Sequence, residues 1–140
     1  LAAVNRAIKA RHVVLSQSAF VVPGLVDRLG DVGGPGDVVD VSGLTEAHLL
    51  IRVQAPPWMS LASVTIYEKT EALMTLPLNA DDTNVVRYDD EIVLPLAATD
   101  TLFVVRVDPV GARIAGMGGS GPTVANPIYA DVDGDGVYTP

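Results

Sequence analysis

The sequence predicts an antiparallel β-sandwich, and three observations carry the prediction. Short apolar segments recur with every second residue polar, the clearest running from Ala47 to Gln54. Clusters of Gly, Pro, Asn and Asp punctuate these segments, supplying the dihedrals that turns require. Between them lies no long stretch of helical period, which argues against a βαβ architecture and for two stacked sheets.

The opening residues are the exception. Leu1, Val4, Ala7 and Ile8 recur at helical spacing, and Lys9, Arg11 and His12 follow where cations complement a helix C-terminus. This predicts a short amphipathic helix over residues 1–11. A helix that short is marginal in water by itself and needs a surface to pack on. His12 to Val22 reads as one extended segment, or as two divided near Ser16-Gln17-Ser18. Asp31 to Asp37, rich in Gly and Pro, reads as a loop, and Val38 to Val41 as a short strand.

In the segment Ala47 to Gln54, Ala47, Leu49, Ile51 and Val53 share one face and His48, Leu50, Arg52 and Gln54 the other. Pro56-Pro57 ends it, since neither proline can donate to a ladder. Ala62, Val64 and Ile66 alternate with Ser63, Thr65 and Tyr67 in the next strand. Leu73–Leu78, Val85–Tyr88, Glu91–Leu96 and Thr101–Val107 complete the central set. Asn79 to Asp82, Asp89-Asp90 and Thr99-Asp100 stand between them as turns. Thr101–Val107 is apolar on both faces for most of its length, which predicts a central strand covered by the helix or by another domain. Gly111 to Thr123 is a glycine-rich excursion, and an Asn126–Ala130 strand closes the fold. The short strands and their turn spacing suit an all-β, immunoglobulin-like antiparallel sandwich over residues 12–140, behind a short N-terminal helix over residues 1–11.

The chain is 140 residues long, enough for one substantial core, and its formal charge is −8. Such a surface repels phosphate backbones and anionic lipid, so nucleic acid is not an expected partner. No apolar run reaches the length of a membrane-spanning helix, so membrane insertion is not expected. The absence of cysteine excludes disulfides, thiolate catalysis and cysteine-ligated metals. Beginning at Leu1 instead of methionine, the sequence reads as a piece of a longer protein.

The charge pattern with most chemical content is Asp131-Val132-Asp133-Gly134-Asp135-Gly136. It matches the first half of a calcium loop: Asp131, Asp133 and Asp135 stand at alternate positions, glycine at the sixth permits a sharp turn, and Val137 would add a main-chain carbonyl. A strand, not a helix, precedes it, and no glutamate follows at the twelfth position. The other reading is an Asp-Gly turn between short strands. Asp81-Asp82 and Asp89-Asp90-Glu91 read as solvated turn residues. His12 and His48 fall in separate strands, too few for a histidine metal centre. Ser16, Ser18 and Ser120 sit in no nucleophile elbow, and Gly116 to Pro122 lacks the Lys-Ser/Thr of a phosphate loop. Trp58 could stack on a ligand, but it reads more readily as a ring plugging the end of the sandwich, since aromatic residues make up only 5% of the chain, thin for a carbohydrate-binding platform.

Several stretches, taken in order, carry a resemblance. Ala7 to Ser16 looks like a helix leading into a strand, with Ser16 and Phe20 kept from a Ser-Asn-Gly-Pro-Phe type of turn. Pro35-Gly36-Asp37-Val38-Val39 follows, then Ala55-Pro56-Pro57-Trp58 ahead of Val64-Thr65-Ile66-Tyr67, then Ala125-Asn126-Pro127-Ile128 with its acidic loop. Together they resemble the C-terminal region of CehA/McbA-type metallohydrolases of the PHP (polymerase and histidinol phosphatase) superfamily. The resemblance implies an upstream catalytic domain of the same polypeptide as partner, a barrel whose metal ligands match no position here. No catalytic residue is therefore expected in this chain, and its expected role is that of a non-catalytic accessory domain. The alternative is a calcium-binding extracellular or cell-surface module resting on Asp131, Asp133 and Asp135, for which a secreted or periplasmic setting is favoured.

Overall fold

The computed structural model describes residues 2–111 and 121–140. The expected glycine-rich excursion falls largely on residues 112–120, outside the described residues, and so does Ser120. The helix forms over Ala2–Lys9 (α1). Among the described residues eleven strands follow: β1 Val14–Leu15, β2 Phe20–Val26, β3 Val32–Gly33, β4 Val38–Asp40, β5 Glu46–Gln54, β6 Leu61–Glu68, β7 Glu71–Pro77, β8 Val86–Pro95, β9 Thr101–Pro109, β10 Thr123–Ala125 and β11 Ile128–Asp131.

They make two sheets. The smaller runs β3-β2-β5-β8, every pairing antiparallel. The larger is built on β9. One edge of β9 pairs with β6, which carries β7 on its far side. Its other edge is shared: β11 lies along Thr101–Phe103 and β10 along Arg106–Val107. The closing strand expected over Asn126–Ala130 begins only at Ile128, because Pro127 has no N–H to join the ladder, and β10 ahead of it is a strand the sequence reading did not include. Beyond β10 lies β1, and beyond β11 lies β4, paired in parallel.

The inward faces of both sheets close on one core. Val21, Leu25, Leu49, Ile51 and Val53 from the smaller sheet meet Val64, Ile66, Phe103, Val105 and Ile128 from the larger, all almost fully buried. The alternation in β5 is as the sequence predicts, with Ala47, Leu49, Ile51 and Val53 inside. The two-sheet sandwich is thus the fold.

Four local expectations are corrected. The split near Ser16–Ser18 is real, but Val85–Tyr88 and Glu91–Leu96 are one strand, β8, and Asp89-Asp90 is not a turn. Its register on β5 sets Asp89 opposite Arg52 and Glu91 opposite Leu50, so the carboxylates sit on the solvent side of a continuous ladder. In β6 the register on β9 shifts between Leu61 and Ser63. A bulge there reverses the alternation, so that Leu61 and not Ala62 joins Val64 and Ile66 in the core. No residue of α1 is buried, so the helix is not what covers the half-buried Leu102 and Val104 of β9. Trp58 does not plug the sandwich: it is 78% exposed at the tip of a turn.

Candidate metal centre

The larger sheet ends in a cluster of carboxylates, and strand register explains it. Thr101, the first residue of β9, pairs with Ala130 of β11, which sets Asp100 beside Asp131 across the strand ends. One carboxylate oxygen from each of Asp100, Asp131 and Asp133 lies within 4.8 Å of the others. Asp100 and Asp131 are buried, at 3% and 1% exposure, and Asp133 is exposed.

The loop after β11 is shaped by these same groups. Asp131 accepts the N–H of Gly134 on one oxygen (2.7 Å) and that of Gly136 on the other (2.8 Å). Asp133 accepts from Asp135 N–H (3.1 Å), and Asp135 accepts from Val137 N–H (2.8 Å). Asp100 takes the N–H of Val132 (2.8 Å) and that of Thr139 (2.9 Å), fastening both ends of the loop to the start of β9. Gly134 and Gly136 turn the chain at φ of 75° and 81°, in the left-handed region where a side chain is strained. The ring of Tyr138 closes back on Tyr129, with centroids 4.9 Å apart.

The electrostatics of the three carboxylates differ. Main-chain N–H groups of Thr139 and Val132 hold Asp100 below the usual carboxylate pKa against the cost of burial, aided by the N–H of Asp133 and by Lys69. For Asp133, the Asp135 N–H pulls downward. Desolvation and the carboxylates of Asp135, Asp100 and Asp131 outweigh it, and its pKa stands above the usual value. Three acids meet here with Lys69 as the cation that acts on Asp100.

The residues present suit a hard divalent cation. The donors are all oxygens, two of them are buried, and each engaged carboxylate oxygen keeps lone-pair capacity beyond its N–H bond. Asp100, Asp131 and Asp133 would hold it. Of the residues singled out in the sequence, Asp131 and Asp133 are brought together. Asp135 and Val137 are exposed and fall outside this group of three, and the Val137 N–H donates to Asp135. Asp100 was missed, because a residue 31 positions before Asp131 carries no spacing signal and only register brings it there.

The remaining candidates do not join this cluster. His12 Nε2 meets Asp37 at 2.9 Å, and His48 Nδ1 meets Glu91 at 2.5 Å, both at exposed positions. Asp82 caps its own turn through Asn84 and lies 3.8 Å from Arg87, and Asp89 faces Arg52 at 3.6 Å. Ser16 donates to the Ala19 carbonyl, and Ser18 contacts the Thr123 hydroxyl at 3.4 Å. Among the described residues no helix is long and apolar enough to cross a membrane. Comparison of the chain with protein-family models, with curated proteins and with solved structures finds no match.

Proposed function

We propose that the chain is a non-catalytic, immunoglobulin-like β-sandwich that braces the barrel of a PHP-type metallohydrolase lying upstream in the same polypeptide. The observation that carries this reading is the state of α1. Its apolar residues Val4 and Ile8 are 59% and 58% exposed, and none of its eight residues is buried. Eight residues do not hold a helix in water without a packing partner. Yet its C-terminal end is firmly attached to the sandwich. Asn126 donates to the Arg11 carbonyl at 2.8 Å, His12 meets Asp37, and the Arg11 guanidinium lies 5.6 Å from the Tyr129 ring centre. Gly36 fits beneath, where a Cβ would come within 2.6 Å of the Ala10 carbonyl oxygen. A helix fixed at its base and bare along its apolar side is suited to receiving a neighbouring domain.

The test has two parts. The chain alone, assayed with phosphoesters, carbamates and esters in the presence of divalent metals, should give no turnover above the metal-only blank; turnover overturns the non-catalytic role. In the polypeptide as the cell makes it, chemical cross-links from Lys9 should reach a metal-binding barrel. Cross-links confined to the sandwich overturn the bracing role.

The carboxylate cluster favours a second reading, a module that binds calcium through Asp100, Asp131 and Asp133. At about 100 times its dissociation constant, a cation bound only to the folded state adds roughly 2.7 kcal/mol of stability. Calorimetry and melting with calcium, against Asp133→Ala, decide it: neither heat nor a shift leaves the loop as a turn.

A further inference from the structure

An open groove of about 540 Å³ lies between the segment ahead of β2 and the turn that follows β5. Trp58, Phe20, Pro56 and Val85 supply apolar walls, and Gln17 and Gln54, two residues with neutral amide side chains, also line it. Ser16 and Ser18 also border it, but their hydroxyls are engaged within the fold. In a chain with 17 acidic and 9 basic residues, no charged side chain among the described residues lines this groove.

The turn that carries Trp58 is rigidly built. Met59 N–H bonds to the Pro56 carbonyl at 3.0 Å, Ala55 N–H to the Val85 carbonyl at 2.9 Å, and Ala55 and Met59 are buried on either side. Arg87 reaches in from β8, its side chain only 3% exposed, and donates to the carbonyls of Pro56 (2.9 Å) and Met59 (3.2 Å). Burying a guanidinium carries a desolvation cost, and here Nε is left without a partner. The outcome is a fixed turn that holds the only tryptophan in the sequence in water, at 78% exposure. A large apolar ring presented to solvent from a fixed turn is a usual anchor of recognition, since little backbone freedom is lost when a ligand arrives.

We infer that this groove is a binding site for a neutral saccharide, with the Trp58 indole stacked on the apolar face of a sugar ring and the amides of Gln17 and Gln54 hydrogen-bonded to its hydroxyls. A pyranose has the two surfaces the groove offers, a C–H face for an aromatic ring and a hydroxyl rim for neutral donors and acceptors. Ionic ligands find no counter-charge among the described residues of its walls. The site stands apart from the bare side of α1 and does not depend on the bracing role.

Because Trp58 is the sole tryptophan, its fluorescence reports the site directly. The chain is titrated with cellohexaose, xylohexaose, laminarihexaose, chitohexaose and maltoheptaose, with polygalacturonate and a polyproline peptide alongside. Saturable blue-shifted emission with at least one neutral oligosaccharide is expected, and none with polygalacturonate. By calorimetry Trp58→Ala should weaken that binding by about tenfold or more. Gln54→Ala should weaken it by about two- to tenfold. Trp58→Phe should restore part of it, and all three variants should melt with the parent chain. Silence with every neutral oligosaccharide, or a response to polyproline alone, overturns the assignment.

Discussion

Asp100 and Asp131 stand side by side at the end of the larger sheet, two buried acids joined by the pairing of Thr101 with Ala130. Each has a separate structural task. Asp131 folds the terminal loop on itself through Gly134 and Gly136, while Asp100 attaches that loop to β9 through Val132 and Thr139.

Asp100→Ala should therefore lower stability by about 1–3 kcal/mol, since the N–H groups of Val132 and Thr139 lose their acceptor. Denaturant melts measure the loss, and amide exchange at Val132 and Thr139 should accelerate. If calcium binds, the same variant should abolish the calcium-dependent rise in melting temperature and Asp135→Ala should leave it intact. The reverse pattern would return the site to the alternate-position set Asp131, Asp133 and Asp135.

In metal-free buffer the cluster should make stability depend on pH in two opposed ways. Asp133, with its folded pKa above 3.8, contributes stability that is fully present below that value and declines as pH rises through the folded pKa. Asp100, with its folded pKa below 3.8, contributes stability present above that value and lost as pH falls through the folded pKa. Asp133→Asn should accordingly melt higher than the parent chain at pH 7 with chelator present, the difference closing in acid. Melting temperatures across the acid range check both signs.

Gly134 and Gly43 both take left-handed dihedrals, at φ of 75° and 78°, but in different surroundings. A Cβ on Gly134 would meet Ser42 Oγ at 2.9 Å, and one on Gly43 would meet nothing within 4 Å. Gly43→Ala should cost about 1–2 kcal/mol from the backbone alone. Gly134→Ala should cost more than that, and the excess in a chemical melt reads the contact with Ser42.

Phe103 lies at the centre of the core at 1% exposure, where β6 and β11 flank β9. Phe103→Ala should destabilise by about 3–5 kcal/mol by leaving a cavity the two sheets cannot close. Leu73→Ala on β7, where the side chain is 40% exposed, should change stability by less than about 0.5 kcal/mol. Equal losses at the two positions would contradict the packing described.

What the sequence revealed and what it hid divide along physical lines. The alternation of Ala47, Leu49, Ile51 and Val53 was legible because a strand buried on one face repeats every second residue. Ala62 was assigned to the wrong side because a bulge leaves no mark in a pattern of apolar residues. Asp89 and Asp90 resembled a turn because acids favour turns, yet Arg52 across the strand lets the ladder run through. Asp131 and Asp133 were visible through local spacing, and Asp100 was not, since its neighbourhood is created by pairing between distant strands. Trp58 misled for a related reason. Its exposure depends on Arg87, 29 positions later, gripping the turn beneath it.

The position of β11 bears on how the chain is made. Lying between β9 and β4 and made after both, it is the slat that joins β4 to the rest of the larger sheet. During translation the β4 edge must wait, unclosed, until residues beyond 128 have left the ribosome. Closing the larger sheet is then the late step of folding, and the nascent polypeptide is a natural client for chaperones that shield open sheet edges.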